Sequence, residues 1–172
     1  EYAGHLSIPL TAKGKFEAEH TSFNFCKNHD ITKIICSPIY RAQQTAGFFA
    51  EKVNLPIITE ELLQEQDMGE YSGKAYAYCE SLSTFEPIVG KRWYWAPPKG
   101  ETYEQVANRA CSFLSEMQKL TATEKVLVVT HGVFLRLMRG ALENTLPIFY
   151  NGKKKNCEIY KTNFTKLNQR HI

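Results

Sequence analysis

K-V-L-V-V-T-H-G-V-F-L, residues Lys125 to Leu135, is the stretch that decides the fold. Val126 to Val129 form an uninterrupted apolar run rich in β-branched side chains, which predicts a strand buried on both faces. Thr130 and His131 break the run, Gly132 supplies a permissive turn, and Val133 to Leu142 resume with helical spacing. A histidine therefore stands where a parallel strand ends and a helix begins. In open α/β sheets ligands bind at that edge, and a helix N-terminus offers N–H groups suited to an anion. A lone histidine in such a turn is ordinarily a hydrogen-bonded core residue. A second strand that ends in the same way shifts the balance here.

That second strand is Thr32 to Cys36. Ser37-Pro38 follows and predicts a helix start, with Ser37 as N-cap and Pro38 at the first helical position. The helix carries Ile39, Ala42, Ala46, Phe49, Ala50 and Val53 at spacings of three and four, an amphipathic stripe. Arg41 falls in its first turn, where a cation opposes the macrodipole. Such a local conflict is characteristic of functional sites, and the fixed fork of arginine donors matches phosphate oxygens. Arg41, His131 and two helix N-termini delivered to one sheet edge make an anion site, with phosphate as the anion that suits it.

Outward from these two units the chain is less regular. Glu1 to Leu10 reads as a loop, and Thr11 caps a helix to about Asn28 with Ala12, Phe16, Phe23 and Cys26 near one face. After Pro56, Ile57 to Thr59 form a further strand. Glu60 to Gly73 is polar and reads as a long loop near the surface. Residues 75–99 are rich in aromatics (Tyr76, Tyr78, Phe85, Trp93, Tyr94, Trp95) and predict a helical, lid-like excursion that covers something, core in preference to a stacking platform. Thr102 with Gln105 forms a capping box for a helix to Leu120 whose inner face is Val106, Ala110, Phe113, Met117 and Leu120. Ile148 to Tyr150 and Cys157 to Leu167, around an Asn-Gly turn, predict closing strands. Alternating strands and helices imply an α/β, three-layer α/β/α arrangement with a mostly parallel central sheet. Residues 1–172 read as a single domain without repeat or linker.

Composition narrows the function classes. The chain has 172 residues, 43% apolar and 23% charged, as expected of a globular protein that buries a core. A net charge of +3, with scattered Lys and Arg, argues against nucleic acid as a partner, and the run Lys153 to Lys155 reads as a solvated turn. No apolar stretch has the length of a membrane span. Five cysteines without C-x-x-C spacing point to a reduced, cytoplasmic chain without a metal site.

The motifs add a family. S-P-I-Y-R-A-Q-Q-T-A (37–46) and V-L-V-V-T-H-G-V-F-L-R (126–136) resemble the histidine phosphatase superfamily, the phosphoglycerate mutase-like proteins. G-H-L-S-I-P-L-T-A-K-G (4–14), L-L-Q-E-Q-D-M-G-E-Y-S-G (62–73) and P-P-K-G-E-T-Y-E-Q-V-A-N-R (97–109) match in register, so the resemblance runs from residue 4 to about 140. It implies a phosphoglycerate mutase-like fold and phosphoryl transfer through a phosphohistidine, with no cofactor and no metal. Arg41 would bind the phosphoryl oxygens, His131 would stabilise the transferring group, and Glu65 would be the general acid. Gly4, Ser37, Gly132 and Val133 would contact the substrate. Glu101 also matches a family position, although support of a helix start explains it equally well.

The sequence departs from the family in one large respect. The nucleophilic histidine belongs to an R-H-G motif ending a strand ahead of the loop matching Gly4, and R-H-G does not occur in residues 1–172. His5 does not match that position. The expectation is that the strand and its histidine lie upstream of Glu1, and that residues 1–172 by themselves are incompetent for phosphohistidine chemistry. Ser7, Met68 and Val133 are smaller departures. The compact length resembles the short phosphatases, such as alpha-ribazole phosphatase, and P-K-G-E-T-Y-E is similar to fructose-2,6-bisphosphatase. K-R-W-Y-W-A-P-P (91–98) loosely echoes a mutase stretch, but only Lys99-Gly100 separate Pro98 from Glu101. The sequence thus reads as a phosphomonoester phosphatase acting on a small phosphorylated metabolite. Mutase-type phosphoryl transfer and a phosphate-binding pseudoenzyme remain as alternatives.

Overall fold

The computed structural model describes residues 1–119, 123–148 and 156–162. Among these residues the centre is a three-stranded parallel sheet. Strand β1 (Lys33–Cys36) lies between β2 (Ile57–Thr59) and β3 (Val126–Val129). The register sets Ile34 beside Ile57 and Leu127, and Cys36 beside Thr59 and Val129. Both strands of the long motifs therefore end level, and the Ser37 N–H donates to the Val129 carbonyl at 3.0 Å.

The period of two along β1 sorts its side chains onto two layers. Ile35 packs with Phe113 and Leu114 of α4 (Tyr103–Met117) and with Phe134 and Leu137 of α5 (Gly132–Leu142). Ile34 and Cys36 pack on the other side with Ala42, Ala46 and Phe49 of α2 (Tyr40–Val53), the stripe expected from sequence. Each such aliphatic or aromatic side chain contributes about 1.5–3 kcal/mol on full burial. Helix α1 (Ala12–Cys26) covers α2, and Phe25 and Cys26 near its C-terminus pack against that cluster.

Several expectations change. Strand β3 is partly exposed because, among the described residues, it pairs on one side only, with β1. Helix α2 starts at Tyr40, not Pro38. Ile39 occupies the N-cap position, and the Ser37 hydroxyl accepts from the Ile39 N–H at 3.3 Å within a bend. On α1 the buried residues are Ala18 and Ser22, which suit a close approach to α2, whereas Phe16 and Phe23 face outward. The Phe23 ring lies under the Lys27 ammonium, 4.5 Å from its centroid.

Glu60 to Gly73 lies at the surface only in part, at Glu61, Glu70 and Gly73. It contains two 3-10 turns, Glu61–Leu63 and Gly69–Tyr71, and buries Leu63, Met68 and Tyr71. Residues 75–99 form α3 (Tyr76–Glu80) and a 3-10 turn, Val89–Trp93. There Phe85 and Trp95 close over Tyr71, with ring centroids 6.5 and 6.3 Å from it, while Tyr76, Tyr78 and Tyr94 stay exposed. Helix α4 opens on the expected capping box and ends at Met117, so Leu120 lies outside the described residues. Of the expected closing strands, Ile148 and residues 156–162 are not in a strand, and the rest lies outside the described residues. No helix among the described residues is long and apolar enough to cross a membrane.

Candidate active site

At the level ends of β1 and β3 two polar side chains meet. His131, the N-cap residue of α5, is 8% exposed, and its Nε2 lies 2.8 Å from the Oγ of the fully buried Ser37. Burial pushes the His131 imidazole down to about 3, helped by the nearby charges of Arg41, His5 and Arg109. The ring is therefore neutral at physiological pH, held inside a positive field.

Arg41 supplies part of that field. It sits in the first turn of α2 and donates to the Gly4 carbonyl at 2.9 Å and the Leu6 carbonyl at 3.1 Å. Burial lowers its pKa from the ordinary value, and Glu65 opposes the shift. Gly4 has φ +45°, and a Cβ there would lie 2.9 Å from the Ser72 hydroxyl, so the turn that offers carbonyls to Arg41 needs glycine.

Glu65 comes from the loop after β2. Its carboxylate accepts from the N–H groups of Val133 (3.1 and 3.2 Å), Phe134 (3.2 Å) and its own neighbour Gln66 (3.0 Å). The N-terminus of α5, expected to face an external anion, thus carries an internal one. Gly132 is exposed, and a Cβ on it would sit 3.8 Å from a Glu65 oxygen, an ordinary contact distance. The Thr130 hydroxyl donates to the Leu63 carbonyl at 2.8 Å and ties the same loop to the end of β3.

Two residues join this cluster to which the sequence had assigned no role. His5 places Nε2 2.7 Å from the Glu65 carbonyl oxygen. Arg109, on α4, donates to the Leu62, Gln64 and Glu65 carbonyls and forms a bidentate pair with Glu101. Glu101 is thereby explained as a partner of Arg109 and of the Asp67 N–H (2.9 Å), with the capping left to Thr102 and Gln105. Arg109 closes the matched stretch 97–109, which was its only signal. His5 likewise had only its place in the matched stretch 4–14, because its neighbour across the site is 60 residues away.

The Glu65 loop and the entry to α4 also run backbone against backbone. Glu70 N–H donates to the Pro98 carbonyl and Glu101 N–H to the Asp67 carbonyl, both at 2.9 Å. A Cβ on Gly100 would lie 2.6 Å from the Asp67 carbonyl oxygen, and one on Gly69 would collide with the Pro98 carbonyl. Among the described residues no group of three or more His, Cys, Asp or Glu side chains is gathered as a metal ion requires.

This is a buried imidazole in the field of Arg41 and of the Glu101-paired Arg109, with a carboxylate on the adjoining helix start. The family model described as histidine phosphatase superfamily (branch 1) matches residues 1–170. The chain belongs to the histidine phosphatase superfamily. Phosphoserine phosphatase 1 of Hydrogenobacter thermophilus is 34% identical, over 82% of this chain and 67% of that protein. A probable phosphoglycerate mutase GpmB of an Enterobacter species is 29% identical, over 94% of this chain and 76% of that protein. Among solved structures, a putative alpha-ribazole-5'-P phosphatase from Escherichia coli superposes with a TM-score of 0.76 at 22% identity, over 87% of this chain and 77% of that one. The phosphoglycerate mutase-like architecture of this histidine phosphatase superfamily member thus agrees with the expectation from its motifs.

Proposed function

We propose that the protein is a metal-independent phosphomonoester phosphatase that works through a phosphohistidine and takes a small phosphorylated metabolite as substrate. The observation that carries this reading is the neutral His131, buried against Ser37 in the field of the Arg41 guanidinium. A phosphoryl dianion is the complement of such a field, and preorganised charge of this kind is the main source of catalysis in phosphoryl transfer.

In this reading a histidine in an R-H-G motif upstream of Glu1 attacks phosphorus. The P–O ester bond breaks, its electron pair passes to the alcohol oxygen, and Glu65 gives that oxygen a proton. Water then attacks the phosphohistidine, returns a proton to Glu65 and releases orthophosphate and free histidine. Arg41 and His131 hold the equatorial oxygens, with Gly132 lining the approach while the buried Ser37 holds the His131 ring and the buried Gly4 the Arg41 guanidinium. The Val133 N–H is engaged by Glu65 in this structure and becomes available to substrate when the carboxylate turns toward the leaving group. The residues 75–99 act as the lid. The five free cysteines accord with a reducing, cytoplasmic setting.

Protein carrying the upstream R-H-G should hydrolyse p-nitrophenyl phosphate, with activity surviving a chelator, and quenching in an alkaline denaturant, where the N–P bond survives, should trap a phosphohistidine at the upstream residue. Residues 1–172 alone should give no turnover. Stoichiometric phosphohistidine at His131 or His5 would overturn the assignment. The similarity to a probable phosphoglycerate mutase favours a second reading, transfer between two hydroxyls of one substrate. Release of orthophosphate separates the two, and ligand binding without either outcome identifies a pseudoenzyme.

A further inference from the structure

Arg109 spends its whole donor set on one task. The guanidinium has five N–H donors, and the structure records five hydrogen bonds from it. Nη1 donates to the Leu62 carbonyl at 2.7 Å and the Gln64 carbonyl at 3.1 Å. Nη2 donates to the Glu65 carbonyl at 3.3 Å and Glu101 Oε2 at 2.8 Å, and Nε donates to Glu101 Oε1 at 3.0 Å. Three carbonyls of four consecutive residues therefore converge on one planar group, which is itself fixed by a bidentate carboxylate.

The same group reaches the other partner of Glu65. The Arg109 guanidinium carbon lies 5.6 Å from the centroid of the Phe134 ring, and the Phe134 N–H donates to the Glu65 carboxylate. Glu101 extends the grip by accepting from the Asp67 N–H, and the Gln66 side chain donates to the Glu101 carbonyl at 2.7 Å. Residues 62–67 are thus held on α4 by side chains and on α5 by the Glu65 carboxylate.

We propose that Arg109, locked by Glu101, is the positioning residue that sets where the Glu65 carboxyl stands relative to the start of α5. The proposal rests on the reading of Glu65 as the proton donor only for its catalytic consequence. The placement stands on the hydrogen bonds themselves. Arg109 does not itself donate to the carboxylate that it places. It fixes the backbone of residues 62–65, so the remaining freedom of Glu65 is in its own side-chain torsions. A lysine cannot replace it, because a single ammonium offers three donors from one point and cannot span three carbonyls and a carboxylate.

The test has a spectroscopic and a kinetic arm. In amide spectra of residues 1–172, Glu65→Gln identifies the signals of Val133 and Phe134 that respond to the carboxylate. Arg109→Ala and Arg109→Lys should move those two signals in the same direction, and Glu101→Gln, a milder change that keeps the guanidinium, should do so to a smaller extent. Thr102→Ala, which weakens the start of α4 without touching the clamp, should leave them in place. Unmoved Val133 and Phe134 signals in the Arg109 and Glu101 variants would overturn the proposal.

In protein carrying the upstream histidine, Arg109→Ala should slow an alkyl phosphate by roughly 10²-fold, the scale of lost general-acid catalysis, and p-nitrophenyl phosphate far less. Equal losses on both esters would reduce Arg109 to a fold-stabilising residue. If Glu65→Gln also fails to discriminate the esters, the proton-donor reading falls, and the amide arm still decides the placement.

Discussion

His131 shows how one side chain ties the fold to pH. Its folded-state pKa of about 3 lies below the ordinary histidine value of 6.5, so the unfolded chain binds the proton more readily. The stability it confers is therefore fully present above pH 6.5 and is lost progressively as pH falls toward 3. Within that window the slope approaches about 1.4 kcal/mol per pH unit. Urea unfolding at a series of pH values should show the decline, and His131→Asn, which keeps a polar partner for Ser37, should flatten it. The sequence showed that this histidine ends a strand. Its neutrality was not legible, because it depends first on burial at the junction of the two strand ends and then on Arg41, His5 and Arg109, which lie on a loop and two helices far apart in the chain.

Elements were legible where a local rule sufficed. The strand-and-helix units around Ile34 to Cys36 and Val126 to Val129 followed from apolar periodicity, and the capping box of α4 from Thr102 and Gln105. Thr102 accepts from the Gln105 N–H and Gln105 from the Thr102 N–H. Thr102→Ala should cost about 1 kcal/mol, seen as a fall in Tm of about 2–4 °C for a domain of this size. An unchanged Tm would mean that the packed face of α4 sets its start without the cap. Elements failed to be legible where tertiary contacts override local preference. The polar stretch 60–73 is drawn inward because Arg109 satisfies its carbonyls and Leu63, Met68 and Tyr71 find apolar neighbours. The Ser37-Pro38 signal misled for a similar reason, since the hydroxyl reaches across to His131 and the helix waits until Tyr40.

Across the whole molecule, the candidate site joins chain segments that share no element: the Gly4 loop, the start of α2, the Glu65 loop, α4 and the start of α5. A bound anion at that junction should stabilise all of them together. Orthophosphate or vanadate at about 100 times its Kd should add about 2.7 kcal/mol to unfolding stability. Arg41→Ala should weaken that binding by about 1.5–3 kcal/mol, the worth of a charge-assisted hydrogen bond. Calorimetric titration checks the affinity and thermal unfolding the linkage. An Arg41→Ala protein that binds phosphate as tightly as the parent would remove Arg41 from the anion site.

The glycine contact between the Glu65 loop and the entry to α4 constrains how this protein can be altered. Gly69 and Gly100 bring two main chains to a separation that no side chain can share, with Glu70 and Glu101 N–H groups bonded across the seam. Neither segment can then be exchanged by itself for the corresponding piece of a relative. A graft of residues 62–73 that leaves 97–101 behind would carry the wrong spacing into the contact and shift Glu101 with it. Loop transplantation aimed at new substrates must move both strips as one cassette, and the two strips should change together wherever the family has diversified.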